Sequence, residues 1–230
     1  MNKAVQASLL IRIGSILIVL ENLWYLSIEV FLMSQDNMSD SEYLGYFKMI
    51  WYGVLILDLL GFGGIGGGLM LKSQILENSE RYLQAGLALL FWVLFSILWR
   101  FLLVGNIFSK SSNLDEFVQN IQTALVFIMI SSIIMAGGFF FLQSTKQVLA
   151  ERLFKFGLLN LLGSILLWQF FQSFDIQNAS SSLDPQNVLV ALTLKTIIIP
   201  LFAVIAFIQL AKSEEIDPSE LPSSTSVYTY

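Results

Sequence analysis

Cysteine and histidine are both absent from the sequence, and only 13% of its 230 residues are charged. Without cysteine the chain cannot form disulfides, thiolate metal sites, iron–sulfur clusters or a cysteine nucleophile. Without histidine it also lacks the commonest zinc and haem ligand and the commonest general base at neutral pH. We therefore expect no bound metal, no cofactor and no enzymatic activity.

Apolar residues, in contrast, make up 56% of the chain and give a mean hydropathy of +0.73. A soluble domain has about 45–50% apolar and about 25% charged residues, so this chain has too little polar surface to cover itself in water. The apolar residues fall in six blocks, at residues 5–33, 44–71, 83–107, 117–142, 154–174 and 188–210. Because about 20 helical residues cross the hydrocarbon core of a bilayer, the sequence predicts an all-α, polytopic membrane protein with six transmembrane helices.

The basic residues predict how these helices are oriented in the lipid bilayer. Seven of them lie on one side of the six-span arrangement, namely Lys3, Lys72, Arg81, Lys146, Arg152, Lys155 and Lys212, and only Lys48 and Lys110 lie on the other. Because loops rich in lysine and arginine stay in the cytoplasm, we expect a cell-membrane protein with both termini cytoplasmic.

The last residues of the chain differ in composition from the six spans. Residues 213–230 are acidic and then rich in serine and proline, which predicts a disordered cytoplasmic tail after a transmembrane domain at 1–212. The net charge is −5 and there is no basic patch, so we do not expect nucleic acid as a partner.

Short strings recur in the odd-numbered spans. Residues 14–17 and 163–166 both read Gly-Ser-Ile-Leu, and residues 95–98 read Phe-Ser-Ile-Leu. A Glu-Arg pair, at 80–81 and 151–152, precedes the third and the fifth span. The pattern suggests three related helical hairpins of about 70 residues each, and chance similarity between apolar segments is the alternative.

Four ionisable residues lie well inside the apolar blocks: Glu21, Asp58, Arg100 and Lys195. A charge in the middle of a bilayer costs about 2.5–3.5 kcal/mol, so such groups face protein or water and find partners. One interpretation is a binding site for an ion or a small polar solute. The other is a pair of buried salt bridges that fix the register of the helices. In either case we expect Arg100 to pair with Asp58 or Glu21.

Small and polar residues predict contacts between the helices. The glycine-rich residues 61–68 predict close helix packing through the pairs Gly63/Gly67 and Gly64/Gly68. Pro200 predicts a kink in the last span. A stripe of residues at four-residue spacing in the fifth span is predicted to make interhelical hydrogen bonds: Asn160, Ser164, Trp168 and Gln172. Four tryptophans are predicted to form an interfacial aromatic belt: Trp24, Trp51, Trp99 and Trp168.

Three function classes are compatible with these features. A small transporter or channel is favoured by the intramembrane charges and by the repeat, since repeats often frame a site near the bilayer midplane. A non-catalytic subunit or scaffold, in contact with other membrane proteins or with copies of itself, is favoured by the balanced charges and the glycine-rich surfaces. A lipid-modifying enzyme has the least support, because histidine and cysteine are absent.

Overall fold

The computed structural model describes residues 3–33, 40–75, 79–110, 114–142, 147–175, 180–181, 190 and 193–214. Its long helices are α1 (Lys3–Met33), α2 (Asp40–Ser73), α3 (Ser79–Lys110), α4 (Leu114–Phe140) and α5 (Gln147–Ser173). A π-helical turn (Leu194–Ile198) leads into α6 (Ile199–Ser213). Two strands of two residues each, β1 (Phe174–Asp175) and β2 (Ser180–Ser181), pair antiparallel after α5. The rest of the described chain is almost entirely helical, and the predicted all-α fold is confirmed.

Six helical segments are long and apolar enough to cross a membrane. They are Lys3–Ile28, Gly53–Ser73, Glu80–Arg100, Gln122–Phe140, Ala150–Gln172 and Leu194–Ser213, one for each apolar block of the sequence. Their outer faces carry large exposed apolar side chains, such as Leu60, Leu94 and Leu98 at 58%, 60% and 61% exposure. Such surfaces are unfavourable in water and match the hydrocarbon of a bilayer. The chain therefore has the architecture of a multi-pass membrane protein.

The helices form a closed ring in the order of the sequence. Each helix packs against the next one, and α6 returns to contact both α5 and α1. The interior of the ring is consequently bounded by all six helices, and side chains that point inward from distant parts of the sequence meet there.

The start of the tail differs from the predicted boundary. The predicted start of the sixth span, at residue 188, lies outside the described residues, and the described residues Val190 and Thr193 are helical, as is the chain from Leu194 onward. The sequence places Ser213 and Glu214 in the tail, but Ser213 is the last residue of α6 and Glu214 is buried. Glu214 is held there because its carboxylate accepts hydrogen bonds from Lys72 and Ser8. The remaining tail residues, 215–230, are outside the described residues.

Glycines bring α1 and α2 close together. A methyl group added at Gly68 would lie 2.7 Å from the carbonyl oxygen of Ala7, and one at Gly64 would lie 3.1 Å from another carbonyl oxygen of α1. The predicted contact through Gly64 and Gly68 is therefore confirmed. The corresponding prediction for Gly63 and Gly67 is wrong, because an added methyl there meets no described atom within 4 Å. Consecutive helical residues point in directions about 100° apart, so these two glycines face away from α1.

Two observations agree with the predicted hairpin repeat, which stays a prediction. The serines of the three shared strings, Ser15, Ser96 and Ser164, are all 0% exposed. The glycine early in α3 packs against the backbone of α2, and Gly157, early in α5, packs in the same way against Ala136 of α4.

An aromatic cluster fills the interior of the helix ring in the half of the bundle that contains the start of α1. Phe207 of α6 lies at its centre, with ring centroids at 5.5 Å from Phe156, 5.8 Å from Phe62 and 6.1 Å from Phe139. Aromatic pairs at these separations add to the stability gained from burial alone. Through these four aromatic side chains, α2, α4, α5 and α6 contact one another across the axis of the ring.

Polar contacts close the ring beyond this cluster, at what we name the Glu214 end. Glu214 accepts a hydrogen bond from Ser8 at 3.2 Å and forms an ion pair with Lys72, and Lys3 donates to Gln74 at 3.3 Å. These contacts join the start of α1, the end of α2 and the end of α6. The start of the first span and the end of the last span therefore lie on the same face of the bundle, as an even number of crossings requires.

Candidate functional site

A cavity of about 290 Å³ lies inside the ring of helices. Ligand pockets usually measure about 300–1,000 Å³, so its size suits a small solute. Side chains from all six helical segments line it: Glu21, Asn22, Tyr25, Val54, Asp58, Phe62, Trp92, Trp99, Arg100, Ile128, Ser131, Ser132, Met135, Phe156, Asn160, Lys195, Ile199 and Pro200.

The four ionisable residues selected from the sequence all lie in this lining. At 1.5 Å per residue they are roughly 22–32 Å along their helices from the Glu214 end, so they occupy overlapping depths as predicted. The aromatic cluster around Phe207 lies between them and that end. The structure thus brings together residues that are up to 174 positions apart in the sequence, from Glu21 to Lys195.

An ion pair between α2 and α3 forms one wall of the cavity. Arg100 donates from Nη2 to Asp58 Oδ2 at 2.9 Å, and the two side chains are only 13% and 8% exposed. The guanidinium carbon also lies 5.4 Å from the centroid of the Trp99 ring. Because an unpaired guanidinium at this depth is costly, the sequence predicts this kind of pairing, and the prediction is confirmed.

Glu21 of α1 lies next to this ion pair. Its carboxyl group lies close to that of Asp58 and within electrostatic reach of Arg100 and Lys195. Two acidic and two basic side chains are thus grouped in one cavity.

Lys195 enters the cavity from the π-helical turn. Its ammonium donates to Asn160 Oδ1 at 2.9 Å and to Ser164 Oγ at 3.4 Å, both on α5. Within the described residues no carboxylate oxygen lies within 4.0 Å of this ammonium. The predicted interhelical hydrogen bonding from α5 is therefore confirmed for these two residues. Of the two buried salt bridges that the sequence allows, the described residues form the one at Arg100.

The backbone that carries Lys195 departs from an ordinary α-helix next to Pro200. Proline has no N–H and cannot bond to the carbonyl group four residues earlier. Immediately before it the helix widens into the π-helical turn, where the N–H of Ile199 bonds to the carbonyl oxygen of Leu194, five residues back. Single π-helical turns are frequent at functional sites. This turn presents Lys195 to α5, and the kink predicted at Pro200 stays a prediction.

Two tryptophans of α3 line the cavity although the sequence does not assign them to the site. The predicted place of Trp99 in an interfacial belt is wrong, because its side chain is 2% exposed and donates to Ser131 Oγ at 3.2 Å. Trp92 is 5% exposed, and its indole N–H has no hydrogen-bond partner among the described residues. The spacing of Trp92, Ser96, Trp99 and Arg100 places them on one face of a helix, which is the signal that could have identified both tryptophans.

Among the described residues, no group of three or more acidic side chains is placed to hold a metal ion.

Comparison of the chain with protein-family models, with curated proteins and with solved structures finds no match in any of the three. The chemistry of the cavity is therefore the basis for inferring a function.

Proposed function

We propose that the protein moves a small polar solute across the membrane through the cavity inside its ring of helices. The observation that carries this proposal is a cavity of about 290 Å³ that is lined by four ionisable side chains, of which Asp58 and Arg100 form an ion pair. A set of purely structural salt bridges would leave no space between its members. Here the charges surround space that a solute can occupy.

The closed half of the ring supports the same proposal. The aromatic cluster around Phe207 and the contacts of Glu214 fill the bundle between the cavity and one end. A transporter that works by alternating access has its site near the middle of the membrane and is closed on one side at a time. The closure at the Glu214 end agrees with what such a transporter requires of one side in one of its states.

The alternative is a non-catalytic subunit or scaffold that binds other membrane proteins or further copies of itself. The Arg100–Asp58 pair and the glycine contacts between α1 and α2 favour it, because both stabilise the bundle without any solute. Neither alternative requires catalysis, and we propose no enzymatic activity.

A cysteine experiment separates the two functions without knowledge of the solute. The natural sequence has no cysteine, so a thiol reagent reacts only with an introduced one. Ser132→Cys is a nearly isosteric change in the cavity lining, and Ile133→Cys is a matched control at the adjacent position, where the side chain is 56% exposed on the apolar face. Both variants are reconstituted in vesicles, and a membrane-impermeant methanethiosulfonate is added to each face in turn.

For a transporter we expect Ser132→Cys to react from both faces of the membrane, because the site opens alternately to each side. Ile133→Cys should not react from either face, because a thiol in hydrocarbon does not ionise. The extent of modification is measured by mass spectrometry of the intact protein. Reaction of Ser132→Cys from one face alone, or from neither, contradicts transport.

A further inference from the structure

The ammonium of Lys195 has a donor to spare. An ammonium carries three N–H donors, and the described residues occupy two of them through Asn160 and Ser164. Both acceptors are neutral, so they satisfy hydrogen bonds and leave the positive charge without a counter-charge in contact. In a membrane-embedded cavity that is a strong reason for an anion to bind.

The acids that line the cavity do not contact this ammonium. Asp58 forms its ion pair with Arg100, and Glu21 lies beside Asp58. Within the described residues neither carboxylate lies within 4.0 Å of the Lys195 ammonium. The place next to this ammonium is therefore left to a ligand.

A second hydrogen-bond donor lines the same cavity. The indole N–H of Trp92 is buried and has no partner among the described residues. A buried donor without an acceptor is unfavourable, and an acceptor on a bound ligand would remove that penalty. Lys195 and Trp92 can both donate a hydrogen bond to a ligand. A carboxylate only accepts hydrogen bonds and therefore suits both.

The remaining walls define what accompanies the carboxylate. Phe62 and Trp92 lie with ring centroids 4.4 Å apart, and Phe156 adds a third aromatic side chain to the lining. Aromatic surfaces favour a ligand with a compact apolar portion. The cavity volume of about 290 Å³ limits that portion to a small one.

We infer that the cavity binds a small organic anion, with its carboxylate at Lys195 and Trp92 and its apolar part against the aromatic wall. This inference rests on the proposed function and names the chemical class of its solute. Inorganic cations and amines are disfavoured at this place, because they would face the ammonium of Lys195.

The test compares ligands of one shape and different charge. The purified full-length protein is heated in detergent with benzoate, benzamide or benzylamine, and with the smaller set of acetate, acetamide and ethylamine. A ligand that binds the folded protein raises its melting temperature in a concentration-dependent way. We expect at least one of the two carboxylates to raise it and the corresponding amide and amine to leave it unchanged.

Three variants locate the effect. Lys195→Met should raise the half-saturating carboxylate concentration by about tenfold or more, the range expected for loss of a charge-assisted hydrogen bond. Trp92→Phe keeps an aromatic ring and removes the N–H, and it should weaken binding by several-fold. Lys155→Met is the matched control on the outer surface of α5, where the lysine is 57% exposed, and it should leave binding unchanged. If Lys195→Met fails to fold, Trp92→Phe still tests the site.

The results separate this inference from the proposed function. It is overturned if neither carboxylate stabilises the protein, if the amines stabilise it equally well, or if Lys195→Met and Trp92→Phe both bind as the wild type does. In those cases transport still stands if Ser132→Cys reacts from both faces of the membrane. Carboxylate binding that depends on Lys195, together with a Ser132→Cys that reacts from one face only, supports the anion site and contradicts transport.

Discussion

The buried charges of this protein differ in how completely their neighbours satisfy them. Arg100 has a carboxylate at 2.9 Å and an aromatic ring beside it, whereas the ammonium of Lys195 is bonded to neutral groups in the described part of the chain. The first cation has an anionic partner within the protein, and this ion pair joins two helices of the bundle. The second contacts only neutral acceptors, and this contrast is the reason for the different roles that we propose for two cations in one cavity.

Reversal of the buried ion pair tests the stabilising role. Asp58→Arg or Arg100→Asp alone leaves like charges facing each other, and loss of one partner of a buried pair costs about 3–5 kcal/mol. We expect either single variant to lower the melting temperature strongly in detergent and the double variant to recover a large part of the loss. The control is the same exchange at Glu151 and Lys155, an exposed pair on α5, where no measurable change is expected. A double variant that is no more stable than the single ones would contradict the pairing.

The sequence predicts the charged residues of the site better than its aromatic ones. A carboxylate or an ammonium within an apolar block is conspicuous because it is costly there, and this alone identifies Glu21, Asp58 and Lys195. A tryptophan in the same block is ordinary, so Trp92 gives no such signal. The partner of Lys195 was also not predictable, because the π-helical turn before Pro200 changes the direction in which its side chain points.

Helices in this bundle have apolar residues on every side, and this limits what their sequences reveal. The six spans themselves are evident, because length and hydropathy suffice to define them. The side of each helix that faces a neighbour is not evident, since an all-round apolar helix has no polar face to mark its orientation. The glycine-rich stretch of α2 shows the result, where the pair Gly64/Gly68 contacts α1 and the pair Gly63/Gly67 does not.

Alanine substitutions at adjacent glycines test which face of α2 contacts α1. Gly68→Ala places a methyl group 2.7 Å from the carbonyl oxygen of Ala7, and such overpacking costs about 1–3 kcal/mol. Gly67→Ala meets no described atom within 4 Å, and alanine favours a helix over glycine by about 0.5–1 kcal/mol. Thermal unfolding in detergent should therefore rank Gly67→Ala at or above the wild type and Gly68→Ala below it. The reverse order would place α1 on the other face of α2.

The contacts that close the ring determine the direction of the last span relative to the first. Because α6 packs against α1, and Glu214 bonds to Ser8, the last span must run antiparallel to the first. This relation follows from the contacts and is independent of any membrane. Which compartment the Glu214 end faces depends instead on the distribution of basic residues in the sequence, and that distribution predicts the cytoplasm.

Reporter fusions test this orientation in the intact membrane. A green fluorescent protein joined after Tyr230 should fluoresce and an alkaline phosphatase at the same position should be inactive, because the first folds in the cytoplasm and the second requires the oxidising exterior. Fusions to chains that end after Lys110, at the far end of α3, should give the opposite pair of results, since an odd number of spans precedes that point. An active phosphatase after Tyr230 would show that the whole molecule has the opposite orientation in the membrane. The aromatic cluster and the Glu214 contacts would then close the outer side, and the cavity would lie in the cytoplasmic half.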